Sequence, residues 1–388
     1  MLKSFYVKNY RNFQQGVKID FSDTGNYAFS QDCLTNGLIG KMLIYGRNAS
    51  GKTNLGSALM DACYILEGWS FPDEMDTYIN ADSEHEAVEF SYVLQFGQRE
   101  VAYRYTKETP DKLRTEEMKI DHELFFQVDF STGKLELNPG TVEINVPLLE
   151  SYIFEQKQSQ NENDDERGRK SKAQIPLFRW LCKNVIIPVN SPIIQAFQFL
   201  TDMGVYRIQN TLIRPLVNRN TSWRSILSDI KSLKSFEAFL NEMGVSCSLT
   251  AEQLPDGQYQ LYFRYKRLLP FFETASSGTL ALAELYRTII ENVPKASLVY
   301  FDEFDAYFHY EMAERLVQYL KKRYPEKQII LTTHNTNLMT NRLMRPDCLF
   351  ILSQDGKLTA LKDATNRELR EGYNLEKMYI SGEFKQYE

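Results

Sequence analysis

Apolar and polar positions alternate with period two at the start of the chain. In LKSFYVKNY, Phe5 and Val7 share one face and Leu2 and Tyr6 the other, while VKIDF places Val17, Ile19 and Phe21 together. Residues 1–21 therefore read as two strands. KMLIYG, from Lys41, is a short apolar strand that stops at Gly46. From Thr53 the period turns helical: Leu55, Leu59, Ala62 and Leu66 share a face, and Gly68 ends the helix.

Period-two stretches return between about Glu89 and Val146 (VEFSYVLQF, VAYRYT, KLELN, VEINV) and predict an antiparallel β layer. Gln158 to Lys172 is polar and without period, which predicts a disordered surface loop or a partner-binding segment. Pro176 to Gly244 reads mostly as helix, as in PIIQAFQFLTDMG and SFEAFLNEMG, before strands resume at VSCSLTAEQL and YQLYFRY. The final third alternates strand and helix: SLVYFDE, EMAERLVQYLKKRY, QIILTTH, CLFILS, KLTAL. That alternation predicts an α/β core with parallel strands, split by a long insertion. The expected division is 1–150 for the first part of the core and the β layer, 151–250 for a helical insertion or lid, and 251–388 for the rest of the core.

Composition changes little in this picture. Apolar residues make up 43% of the 388 positions and charged residues 25%, ordinary for a soluble globular protein. The chain has no apolar run of about 18 residues and no signal-peptide pattern at its start. The five cysteines stand singly, without metal or redox spacing, so a cytoplasmic protein with reduced thiols is expected and no membrane association. A net charge of −6 argues against broad coating of DNA. Arg214, Arg219 and Arg224 are the one hint of a basic stripe.

The chemistry lies in four places. Gly46-Arg47-Asn48-Ala49-Ser50-Gly51-Lys52-Thr53 is a complete GxxxxGK[ST] between an apolar strand and an amphipathic helix. Its backbone N–H groups would wrap phosphate oxygens, Lys52 would reach the β- and γ-phosphates of ATP, and Thr53 would ligate Mg²⁺. SLVYFDE is an apolar strand that carries Asp302 and Glu303 to its carboxyl end. Asp302 fits a Mg²⁺-side carboxylate and Glu303 the group that polarises an attacking water. In IILTTHN, His334 ends a strand separated from the acidic one by a single helix, where it can sense a γ-phosphate. In TASSGTLALAEL, Ser276, Ser277 and Gly278 cap a helix whose N-terminus can hold a γ-phosphate presented by another subunit.

In this order the four elements resemble the ABC-type P-loop ATPase heads of the SMC/RecF/OLD group. More narrowly, they resemble the stand-alone AAA-family ATPases related to the OLD ATPase domain that occur in bacterial anti-phage systems. The opening FYVKNYRNF is similar to that group's first strand, SSGT to its degenerate signature, FDEFDAYFH to its Walker B and D-loop, TTHNTNLM to its switch-histidine segment, and NLEKMYISGEF to its ending. The resemblance implies an α/β ABC-type head with an antiparallel β layer and an inserted helical subdomain. It also implies slow hydrolysis of Mg·ATP in a head-to-tail homodimer, or a higher oligomer. Lys52, Thr53, Asp302, Glu303 and His334 of one copy would face Ser277 and Gly278 of the other. Which of Ser276 and Ser277 acts stays open. Asp305 takes the D-loop aspartate position, His309 fits the pattern without a defined role, and Gln95 is the candidate Q-loop glutamine. The implied function is a switch or sensor that controls a separate effector such as a nuclease; the alternatives are a RecF-like DNA clamp and a scaffold that binds ATP without turnover. A nuclease within the chain is not expected, because only about 50 residues follow His334, without an acidic cluster on strand ends.

Overall fold

The computed structural model describes residues 1–69, 78–138, 140, 145–161, 174–209, 212–215 and 222–388. The runs KMLIY, LVYFD, QIILTT and LFIL are apolar almost throughout and buried at every position. Strands of that kind are covered on both faces, the condition under which parallel sheets form. They pair accordingly: Gly204–Gln209, Leu298–Asp302, Gln328–Thr333, Lys41–Tyr45 and Leu349–Leu352 lie side by side and parallel. Leu212–Pro215 and Leu358–Ala360 close the two edges antiparallel.

The register decides where the chemistry goes. Arg207 lies opposite Asp302, Phe301 opposite Leu331, Thr333 opposite Tyr45, and Tyr45 opposite Ile351. The glycine loop after Tyr45, the acids at the end of the next-but-one strand, and His334 between them thus leave the sheet at one carboxyl edge. Ligands of open parallel sheets bind at such an edge.

A second sheet of seven strands is antiparallel and orders Lys134–Leu137, Glu123–Asp129, Lys112–Ile120, Arg99–Thr109, Val88–Phe96, Leu2–Lys8 and Val17–Asp20. This is the β layer expected from the alternating stretches. Leu2 is buried together with Phe5 and Val7, not on Tyr6's face as strict alternation predicts. The register shifts between Leu2 and Ser4, so Leu2, Phe5 and Val7 pair with Leu94, Tyr92 and Phe90, which share a face. One extra residue in a bulge reverses the parity of everything before it.

The helix after the glycine loop is interrupted once, running Lys52–Leu59 and then Asp61–Glu67, with Gly68 in the left-handed conformation at its end. Asp61 ties this helix to the antiparallel sheet. Its carboxylate is fully buried, receives the Lys107 ammonium at 3.0 Å and 3.1 Å, and accepts from the hydroxyls of Tyr78 and Tyr105.

Helices Val146–Asn161, Leu177–Asn184, Pro192–Thr201, Trp223–Ser228 and Ile230–Glu242 occupy the middle of the chain. The same stretch supplies Gly204–Gln209 to the core sheet, so a segment that reads as helical also contributes a core strand. VEINV adds no described strand: residues 142–144 lie outside the described residues, and Val146 begins a helix. Of the polar stretch 158–172, residues 162–172 lie outside the described residues as well. A small sheet of Leu249–Gln253, Tyr259–Arg264 and Leu268–Pro270 leads into the serine-capped helix. Among the described residues no helix is long and apolar enough to cross a membrane.

Candidate functional site

The glycine loop is held open by backbone conformation and from below by the first strand's exit loop. Ala49 and Gly51 sit at φ 64° and 98° on either side of Ser50, and left-handed residues in a turn are the backbone from which anion nests are built. A side chain on Gly46 would collide with the Ser50 hydroxyl and come within 3.1 Å of the Leu352 carbonyl. Asn12 donates to the Ser50 carbonyl at 3.2 Å and accepts from Asn54 at 2.7 Å, while Arg11 donates to Asn54 at 3.0 Å. The Ser50 hydroxyl is buried and has no hydrogen-bond partner among the described residues. A buried hydroxyl without a partner in a glycine loop fits a phosphate oxygen as its acceptor.

Lys52 is nearly buried and donates to the carbonyls of Gly46 at 2.7 Å and Arg47 at 3.0 Å. Burial pulls its ammonium below the usual lysine range, and the charges of Glu303, Asp302 and Asp305 oppose that pull. The lysine bridges its own loop and stands among three carboxylates, ready to exchange carbonyls for phosphate oxygens.

Thr53 donates to Asp302 Oδ2 at 2.6 Å across 249 positions of sequence. The Thr332 hydroxyl donates to Asp302 Oδ1 at 2.8 Å and accepts from the Glu303 N–H at 2.8 Å. Tyr300 donates to the Lys52 carbonyl at 2.5 Å, pinning the loop helix to the acidic strand. Arg207 approaches Asp302 at 3.9 Å. A hydroxyl and a carboxylate this close fit the small set of protein oxygens that Mg²⁺ takes beside phosphates.

Glu303 has φ 49°. A left-handed glutamate costs on the order of 1 kcal/mol or more, and such strain persists where the surroundings hold it, typically at functional sites. The Glu303 side chain is half-buried at the end of the acidic strand. Asp305 is turned inward, accepting from the Thr333 hydroxyl at 2.7 Å, and burial raises its carboxyl above the usual range. It braces the strand end that presents His334.

His334 is exposed and lines a cavity of about 360 Å³ with Tyr45, Gly46, Arg47, Asn48 and Tyr379. Ser276, Ser277 and Gly278 lie elsewhere. Ser276 is the N-cap of helix Ser277–Leu285, accepting from the Thr279 N–H at 3.2 Å. Ser277 and Gly278 line a separate cavity of about 490 Å³ with Trp223, Phe272 and Tyr307. Within one chain, then, the tertiary structure gathers Gly46–Thr53, Asp302, Glu303 and His334, and leaves the serine helix in a cavity of its own.

His309 occupies the N-cap position of helix Tyr310–Arg323 without a side-chain capping bond. Gln95 does not reach the site: its amide donates to the Gly97 carbonyl, and its backbone pairs with Met1. That is the end of the first strand opposite to Asn12 and the glycine loop. Of the arginine cluster, Arg219 lies outside the described residues, Arg214 is described only as backbone on an edge strand, and Arg224 is exposed.

Sequence reasoning missed Asn12, Tyr300, Thr332, Thr333 and Arg207. The paired threonines of TTH are visible at a strand end, but which acids they meet depends on the neighbouring strand. Arg207 was hidden because its strand lies in a stretch that reads mostly as helix and meets the acidic strand only in the folded sheet.

Structures similar to this chain include the SMC head domain from Thermotoga maritima, 15% identical over 92% of this chain and 98% of that one, with a TM-score of 0.46. Others are the Smc head domain with an extended coiled coil bound to the C-terminal domain of ScpA, derived from Pyrococcus furiosus (14%, 99% and 99%, TM-score 0.45), and the Smc head domain with a coiled coil and joint from Pyrococcus yayanosii (13%, 93% and 98%, TM-score 0.46). No curated protein matches the chain. Residues 41–340, from the strand before the glycine loop to just past His334, match the family described as "AAA domain, putative AbiEii toxin, Type IV TA system", and the chain belongs to that family.

Proposed function

We propose that this nucleotide-binding P-loop protein slowly hydrolyses Mg·ATP between two copies of itself and works as a dimeric switch that governs a separate effector in anti-phage defence. The observation that carries the catalytic part is the 2.6 Å hydrogen bond from Thr53 to Asp302. It joins the glycine-loop helix to the acidic strand at the point where a divalent cation has to be held. Thr53 and Asp302 would hold Mg²⁺, directly or through water, and the bound ion would neutralise charge on the phosphate oxygens.

The remaining work falls to this chain's own groups. The loop N–H groups and Lys52 bind and orient the triphosphate. Glu303 polarises the attacking water, its backbone N–H fixed by Thr332. His334, which lines a cavity with Gly46, Arg47 and Asn48, would donate to the terminal phosphate. Ser277 and Gly278, at an exposed helix N-terminus, would meet that phosphate from a second copy, and one two-fold axis satisfies both sites at once.

ATP turnover by the wild type, compared with Glu303→Gln, tests the reading. Turnover should fall roughly 100-fold or more, the range in which a positioned general base contributes, while ATP binding persists. Wild-type turnover no faster than that of the variant would remove the hydrolytic claim.

A further inference from the structure

Residues 374–388 touch the glycine loop from outside the machinery above. Helix Leu375–Ile380 is capped by Asn374, which accepts from the Lys377 N–H at 2.8 Å, and is anchored by the buried side chains of Leu375 and Phe384. It packs beside the turn Thr336–Leu338 that follows His334. From there Tyr379 reaches the cavity formed by Gly46, Arg47, Asn48 and His334. The Arg47 guanidinium pairs with the Glu388 side-chain carboxylate, and Tyr379 lines the same cavity as Arg47, with burial first and the Glu388 charge second among the causes that raise its hydroxyl.

The two partners are held unequally. The Glu388 side chain is 10% exposed and the Arg47 side chain 60%. The carboxylate is therefore held within the tail, while most of the Arg47 side chain stands in solvent. Arg47 is also part of the loop that receives the triphosphate, and a guanidinium fork recognises phosphate and carboxylate by the same geometry. It cannot make its full set of bonds to both.

Resting on the nucleotide-site reading, we infer that Tyr379 and Glu388 form a clasp that competes with nucleotide phosphates for Arg47. Binding of ATP takes Arg47 from the carboxylate and loosens the tail from the loop. The tail is then a sensor of loop occupancy on the same side as His334, and it lowers nucleotide affinity until the exchange occurs.

Titration calorimetry of the full chain with AMP-PNP and Mg²⁺ tests this, using wild type, Glu388→Gln, Arg47→Gln and the double variant. Glu388→Gln should bind about two- to five-fold tighter, the worth of one solvent-accessible ion pair. Arg47→Gln should bind more weakly, and Glu388→Gln should add nothing in that background. A tail that merely supports the fold would weaken binding when altered, not tighten it. Unchanged or weaker binding by Glu388→Gln, or an equal gain in both backgrounds, overturns the clasp while the nucleotide site stands. Absence of binding by the wild type overturns both.

Discussion

At the scale of single residues, Thr53, Asp302 and Lys52 show how little freedom the site has. Thr53 and Thr332 each give a hydrogen bond to one oxygen of Asp302, so the carboxylate cannot rotate without breaking one of them. Lys52 is nearly buried, and its carbonyl partners belong to the loop itself. Removing it leaves those carbonyls without their donor and the phosphates without their cation. Lys52→Ala should therefore weaken ATP binding by roughly 10- to 100-fold, the equivalent of a charge-assisted hydrogen bond. Equilibrium binding of a fluorescent ATP analogue measures it, and tight binding by the variant would contradict the assignment of the loop. The glycine loop, the acid pair and the histidine were all legible in the chain because each is a local pattern of strand followed by turn. Thr332 as the group that orients both Asp302 and Glu303 was not, since its role depends on which strand lies beside it.

At the scale of elements, a buried carboxyl group couples the layers. Glu116, in the antiparallel sheet, accepts from the N–H groups of Leu177 and Phe178 at 2.6 Å and 2.9 Å and from the Tyr103 hydroxyl at 2.9 Å. It caps helix Leu177–Asn184 from outside that helix. Burial pushes its carboxyl up to about 7, against the opposing pull of these bonds. The folded state therefore keeps the proton up to about pH 7, whereas an unfolded glutamate gives it up near 4.5. Between those values the native chain binds more protons, so this group's contribution to stability falls as pH rises through the window and is constant above it. Urea unfolding of wild type and Glu116→Gln at pH 5 and pH 8 should show the wild type losing on the order of 3 kcal/mol relative to the variant. Parallel pH dependence of the two would refute the account. Alternating apolar residues made the sheet legible; nothing local announces that Glu116 meets a helix end about 60 positions later.

At the scale of the molecule, the parallel sheet gathers the glycine loop, the acids and His334 at one edge, and the serine helix lines a different cavity. On the proposed reading, a second copy turned about a two-fold axis would bring its serine helix to this site. Glu303→Gln with ATP should accordingly elute as a dimer in size-exclusion chromatography with light scattering. Adding Ser277→Arg should return it to monomer while ATP binding is kept. A complex that survives Ser277→Arg would place the contact on another surface.

The chain by itself determined the elements whose signals are short in range: the apolar strands, the glycine loop between strand and helix, the serine cap before its helix, and the acids at a strand end. Each follows from steric and hydrogen-bonding preferences acting over a few residues. The tertiary structure decided what depends on pairing across hundreds of positions. The bulge that turns Leu2 inward, the entry of Gly204–Gln209 into the core sheet, the distance of Gln95 from the loop and the approach of Glu388 to Arg47 all belong there. Sheet register and tail docking are set by the fit of whole surfaces, and no window of sequence contains both partners.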